Sequence, residues 1–269
     1  MSEHKISSIT DFNCFLDNEY KDLNPCKENW YPIMYYDETI DLQKKRYMTV
    51  GINPSLTVNA KKHINKKILE IKEFSVKYER QEDKDDRCGV YRFNKFVSDK
   101  DYFKQKLILY QKELKYSENP ISYFKTLDHF FQAVKIDFEE DVFHYDFCQR
   151  RNTDSVTIGE WLSKNKYSNF NRLKHHLDLI VQLIQPEYVF IFNASLVEML
   201  MENNFFDCCN LKPLYRKDHF QFYNEFMNYN GVSTRKETKF IIGNQLSGGA
   251  TSRVYRANLV ANVNRLINK

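Results

Sequence analysis

Two glycine-bearing segments hold the residues best placed to do chemistry. Gly51 lies in YMTVGINPSLT (47–57), and Gly243, Gly248 and Gly249 punctuate FIIGNQLSGGATSR (240–253), so four of only seven glycines fall in two short stretches. Each stretch passes from an apolar, β-prone run into a loop of small residues, the pattern of a backbone approached closely by something else. In an α/β protein, loops leaving the carboxyl ends of strands are where ligands bind. Within GINPS, Gly51 lets the chain turn, Pro54 stiffens the loop and Asn53 presents an amide. That amide can orient a water but has no basic pKa with which to deprotonate one. An ordinary strand-to-helix turn would read the same way. Ser247, Gly248 and Gly249 form a backbone-rich loop before a terminal helix capped by Thr251 or Ser252, and the free N–H groups of such a helix start attract anions. Arg253 and Arg256 add charge there. A third exit, VFHYDFCQRRNTDS (142–155), sets Asp146 at the end of an apolar run. Arg150 and Arg151 follow it and can contact phosphates, unless they pair with Asp146 or Asp154.

The elements that must position these loops follow from periodicity. Strands are expected at 47–52, 141–147, 187–193 and 239–244, and helices at 101–115, 119–135, 171–184, 195–203 and 252–269. Leu173, Leu177, Ile180, Val181 and Ile184 share one face of the third of these helices; Phe124, Leu127, Phe131 and Val134 do so in the second. Asn119 and Pro120 suit its start. Strands alternating with helices predict an α/β chain whose central sheet is mostly parallel, with helices on both faces. Residues 1–40 are expected to wrap the rest as a helix and a loop. The run 61–87 is highly charged and reads as a solvated face, with a DNA-facing role as the alternative.

Composition bounds the function. The chain has 269 residues, 42% of them hydrophobic and 15% aromatic, enough for one large ring-rich core. Its 40 Lys+Arg against 36 Asp+Glu give a formal charge of +4, which permits nucleic-acid binding without requiring it. The six cysteines form no CxxC and read as buried free thiols of a reducing cytosol. There is no signal-peptide pattern and no run of apolar residues long enough to span a membrane, so a soluble cytoplasmic protein is expected. Walker A, GxGxxG, GxSxG and HEXXH strings are all absent.

The three exits together resemble the uracil-DNA glycosylase superfamily over residues 45–267. GINPS is similar to the first motif of its mismatch-specific and single-strand-selective branches. NQLSGGATSRVYRANLV is similar to the second motif, a loop and helix that press on the DNA backbone, and PEYVFIFNASLVEML resembles the penultimate strand and helix. The resemblance implies a three-layer α/β/α sandwich with a central mostly parallel sheet, formed by residues 41–269, with residues 1–40 as an extension packed on it. It also implies a monomeric enzyme that flips a base out of single- or double-stranded DNA and hydrolyses the N-glycosidic bond of uracil or another damaged or modified base. No metal and no organic cofactor are implied. Asn53 would orient water and Asp146 would assist it. The base would sit among Gly51, Ile52, Pro54, Ser55 and Asn193, with Tyr91 or Phe93 of GVYRFNKF stacking on it. Arg150, Arg151, Ser247, Gly248, Gly249, Ser252, Arg253 and Arg256 would meet the backbone. The second motif departs from its HPS or NPS relatives, reading QLSGG without a histidine to stabilise the leaving base. Two rivals therefore stand: a nucleic-acid-binding protein of the same fold without the chemistry, and a hydrolase of a free nucleoside or nucleotide.

Overall fold

The computed structural model describes residues 6–20, 35–51, 108, 112, 115–116, 122–147, 166–193, 196–197, 200, 215–217, 220–222, 226–229, 238–243, 246 and 253–268. Its elements are α1 (Ile9–Tyr20), a short 3-10 turn (Leu42–Lys44), β1 (Tyr47–Gly51), α2 (Ser122–Ala133), α3 (Phe138–Asp141), β2 (Val142–Asp146), α4 (Lys166–Ile184), β3 (Tyr188–Ile191), β4 (Tyr215–Lys217), β5 (Phe220–Phe222), β6 (Phe226–Tyr229), β7 (Thr238–Ile242) and α5 (Arg253–Ile267).

Four strands pair in parallel in the order β2-β1-β3-β7, and β6 adds to β7 antiparallel. The chain has an α/β fold. All residues of β1, β2 and β3 are buried, which is why these strands read as continuous apolar runs instead of alternating ones. Alternate residues still face opposite sides. Met48, Val50, Phe143, Tyr145, Val189 and Ile191 join one hydrophobic cluster with α1 and α4. Tyr47, Val142, Tyr188, Phe190 and Ile241 join another with α2, α3 and α5. The expected faces of α2 and α4 lie in these clusters, each fully buried Leu, Ile, Val or Phe contributing about 1.5–3 kcal/mol.

Several boundaries differ from the sequence reading. α4 extends back to Lys166 instead of 171, and α2 ends at Ala133 instead of 135. β4, β5, β6 and α3 were not anticipated. α3 is four residues long, too short for a periodicity window, although Asp137 caps it by accepting from the N–H groups of Glu139 and Glu140, both at 2.9 Å. Ile108, Lys112, Lys115 and Tyr116 are helical, as are Leu196, Val197 and Leu200, within two expected helices or next to their ends. Cys14, expected to be buried, is exposed: α1 turns Ile9, Phe12, Asn13 and Leu16 inward at helical spacing, and position 14 lies off that stripe. The other cysteines, Asn119, Pro120 and the 61–87 run lie outside the described residues. Among those described, no helix is long and apolar enough to cross a membrane.

Candidate functional site at the carboxyl edge of the sheet

Parallel pairing puts the carboxyl ends of β1, β2, β3 and β7 on one edge. Chain order reverses between β1 and β3, since β2 lies on one side of β1 and β3 on the other. A crevice at such a reversal is the usual ligand site of an open α/β sheet. GINPS leaves β1 at this point.

Register then builds a cluster of polar groups. Thr49 pairs with His144 and Gly51 with Asp146, so all four lie on the sheet face that carries α2 and α5. Thr49 Oγ1 is 2.7 Å from His144 Nδ1. When the hydroxyl donates, the imidazole proton sits on Nε2, which faces Asp146 Oδ1 at 3.5 Å. That separation is longer than a hydrogen bond, so the contact is electrostatic. Nε2 has no hydrogen-bond partner among the described residues. Phe124 meets the imidazole edge-on at 4.9 Å, and Tyr123 does so at 5.9 Å. Thr49, His144 and Asp146 are all at most 4% exposed.

Gly51 leaves room for the carboxyl group. A Cβ at position 51 would stand 2.4 Å from Asp146 Oδ1 and 3.3 Å from His144 Cε1. Burial holds His144 below its ordinary pKa, and Asp146 opposes that shift only in part. Burial, and then Asp146, push the Tyr123 hydroxyl far up. Lys115 is pushed down to about 8 by burial; Asp146 pulls it up and Lys45 pushes it down.

Three helices aim their N-termini at this edge. α4 and β3 are separated only by residues 185–187, so the end of α4 lies beside the start of β3. The Tyr188 hydroxyl at the start of β3 donates to the Leu266 carbonyl at 3.3 Å, which places the end of α5 there too. α2 runs the same way, its first turn carrying Tyr123 and Phe124 against His144. Arg253 and Arg256, on the first turn of α5, are exposed near the carboxyl edge.

Of the residues singled out from sequence, Gly51 and Asp146 are thus brought into contact. Asn193 leaves β3 at the same edge, half-buried, and starts the next helix: its Oδ1 accepts from the Leu196 N–H at 3.0 Å. Asn53, Ile52, Pro54, Ser55, Tyr91, Phe93, Arg150, Arg151, Ser247, Gly248, Gly249 and Ser252 lie outside the described residues. Sequence reasoning missed Thr49, His144 and Lys115. The available signal was a polar residue two positions before Gly51 and another two before Asp146, each on the same strand face as its neighbour. Among the described residues, no three His, Cys, Asp or Glu side chains could hold a metal ion. Comparison with models of known protein families gives no match, and no curated protein matches the chain.

Proposed function

We propose that the protein is a DNA glycosylase of uracil-DNA-glycosylase-like, three-layer α/β/α architecture, hydrolysing the N-glycosidic bond of uracil or another modified base. One observation carries this reading: β1, β2 and β7, the strands that lead into the three motif-bearing segments, all end on one edge, β1 and β2 paired in register and β7 beyond β3. A flipped nucleotide at that edge would meet Asn53 from the first exit and Asp146 from the second. Asn53 orients the attacking water. The buried Asp146 carboxylate stabilises the oxocarbenium-like sugar through space, an effect strengthened where water is excluded. The helix N-termini and the exposed Arg253 and Arg256 offer N–H groups and charge to DNA phosphates.

The Thr49–His144–Asp146 cluster favours catalysis over a binding-only role. Burying a carboxyl group beside an imidazole costs stability, and a surface that only grips phosphates has no use for it. The test is to incubate the protein with oligonucleotides carrying uracil, hypoxanthine, xanthine, hydroxymethylated or glucosylated pyrimidines, then cleave abasic sites with alkali. Strand cleavage at one modified base, abolished by Asp146→Ala, is the expected result. No abasic sites on any substrate would remove the glycosylase reading.

A further inference from the structure

A second feature adjoins the polar cluster through His144 and Lys115. A cleft of about 270 Å³ runs along β2, an edge strand of the described sheet. Its walls are Val142–His144, the segment 35–41 and a helical face bearing Ile108, Lys112, Lys115 and Tyr116. Their i, i+4, i+7, i+8 spacing puts these four side chains on one stripe.

Several charged groups in the cleft are already matched. Lys112 Nζ pairs with Asp37 Oδ2 at 2.8 Å, and Asp37 Oδ1 accepts from Thr39. Lys45 Nζ donates to the backbone carbonyls of Glu139 and Glu140. Asp41 accepts from the Gln43 N–H. Two donors remain. Lys115, half-buried, has only the Phe124 ring, 5.8 Å from its Nζ, and no carboxylate or carbonyl among the described residues. Tyr116, also half-buried, packs its ring on Phe138, and no acceptor among the described residues takes up its hydroxyl. A partly desolvated ammonium without a counter-ion costs free energy that a bound anion would return.

We propose that this cleft binds a small oxyanion, a phosphate or carboxylate group of a low-molecular-weight ligand, with Lys115 as its counter-ion and the Tyr116 hydroxyl as its second donor. The size suits a small molecule. The exposed Glu139 and Glu140, which also line the cleft, repel polyanions and so select against a nucleic-acid backbone. The cleft shares His144 and Lys115 with the polar cluster around Asp146, and an oxyanion would bind there whether or not the protein is a glycosylase.

Lys115 reports on its own occupancy. Asp146 at the end of β2 and Lys45 just after the 3-10 turn act on its amine, and Lys112, Glu139 and Glu140 share the cleft; these groups are the same with and without ligand. The full-length protein is labelled with acetic anhydride across pH 6–10, and Lys115 acetylation is read by mass spectrometry. The arms are inorganic phosphate, acetate and chloride at matched ionic strength. In chloride, labelling should rise with a midpoint near 8. A bound anion that raises the amine by about one unit should slow labelling at pH 8 about fivefold. Protection by phosphate alone identifies a phosphate ligand, by acetate alone a carboxylate, and by both the shared oxyanion chemistry. Identical profiles in all three arms would overturn the proposal. As a second check, calorimetric binding of the protecting anion should vanish in Lys115→Met and persist in Lys112→Met; the reverse pattern would also overturn it.

Discussion

Gly51 is glycine because Asp146 occupies the space where a side chain would be. The clash distance of 2.4 Å is to a buried carboxyl oxygen, backed by His144 at 3.3 Å, so the neighbour has nowhere to retreat. Gly51→Ala is therefore expected to lower stability by about 1–3 kcal/mol, seen as a lower urea midpoint, as overpacked cores do. A variant with the wild-type midpoint would show that the carboxyl group is free to move. If the protein is a glycosylase, Asn53→Ala tests the chemistry: loss of an oriented water should slow base release about 10²-fold or more while DNA affinity holds. Wild-type turnover by that variant would exclude Asn53 from the mechanism. Gly51 and Asp146 were legible in the sequence because each ends an apolar run where few glycines or acids occur. Thr49 and His144 were not, since a lone threonine or histidine in a buried strand is ordinary. Their meaning appears only when β1 and β2 pair in register across 95 residues of separation.

Helix ends show how local rules and tertiary packing divide the work. α2 closes with a Schellman motif: the Ile136 N–H donates to the Phe131 carbonyl at 2.9 Å, the Lys135 N–H donates to that of Gln132 at 3.0 Å, and Lys135 has φ 60°. α4 closes on Gln185 at φ 52°, whose N–H donates to the Val181 carbonyl at 2.8 Å, with Pro186 following. Both left-handed positions hold side chains where glycine is favoured. Lys135→Gly and Gln185→Gly should each raise stability by about 0.5–1 kcal/mol, measured by chemical denaturation. A loss in both would mean that the side chains contribute more than the backbone strain costs. The core stripes of α2 and α4 were readable because their period is strong, whereas α3 and β4–β6 were too short to rise above it. A further contact between elements joins α1 to α4. His176 Nε2 lies 3.5 Å from Glu19 Oε2, with Phe15 edge-on to the imidazole at 5.1 Å. Burial holds His176 below 6.5, so on acidification the unfolded chain takes up a proton there before the native state does. Stability should fall as pH drops below about 6.5. Glu19 is held below 4.5, first by His176, and its contribution is lost as pH falls through its lowered native pKa. His176→Leu should flatten the dependence between pH 7 and 5 by up to about 1.4 kcal/mol per pH unit. An unchanged slope would place the acid sensitivity elsewhere.

Across the whole molecule, the strand exits and helix starts converge on one edge, and the anionic partner is expected there. α2, α4 and α5 run opposite to the parallel strands, so their positive dipole ends gather where β1, β2, β3 and β7 stop. The charge of +4 is too small for the molecule as a whole to hold DNA, so any affinity must come from local placement of cations. Arg253 and Arg256 are such cations, three residues apart on an exposed helical turn whose far end is fixed by Tyr188. If they touch phosphates, Arg253→Ala and Arg256→Ala should each weaken binding nearly equally across sequences. Each should also reduce the slope of log affinity against log salt by about one unit, because one fewer phosphate is neutralised. Arg150→Ala and Arg151→Ala carry the same expectation. Fluorescence anisotropy of a labelled oligonucleotide, titrated from low to moderate salt, measures both quantities at once. Weaker binding with an unchanged salt slope would assign the arginines to helix stability instead of phosphate contact. No binding to single- or double-stranded DNA at low salt would remove both DNA readings and make a free nucleoside or nucleotide the substrate to test at the Asp146 edge.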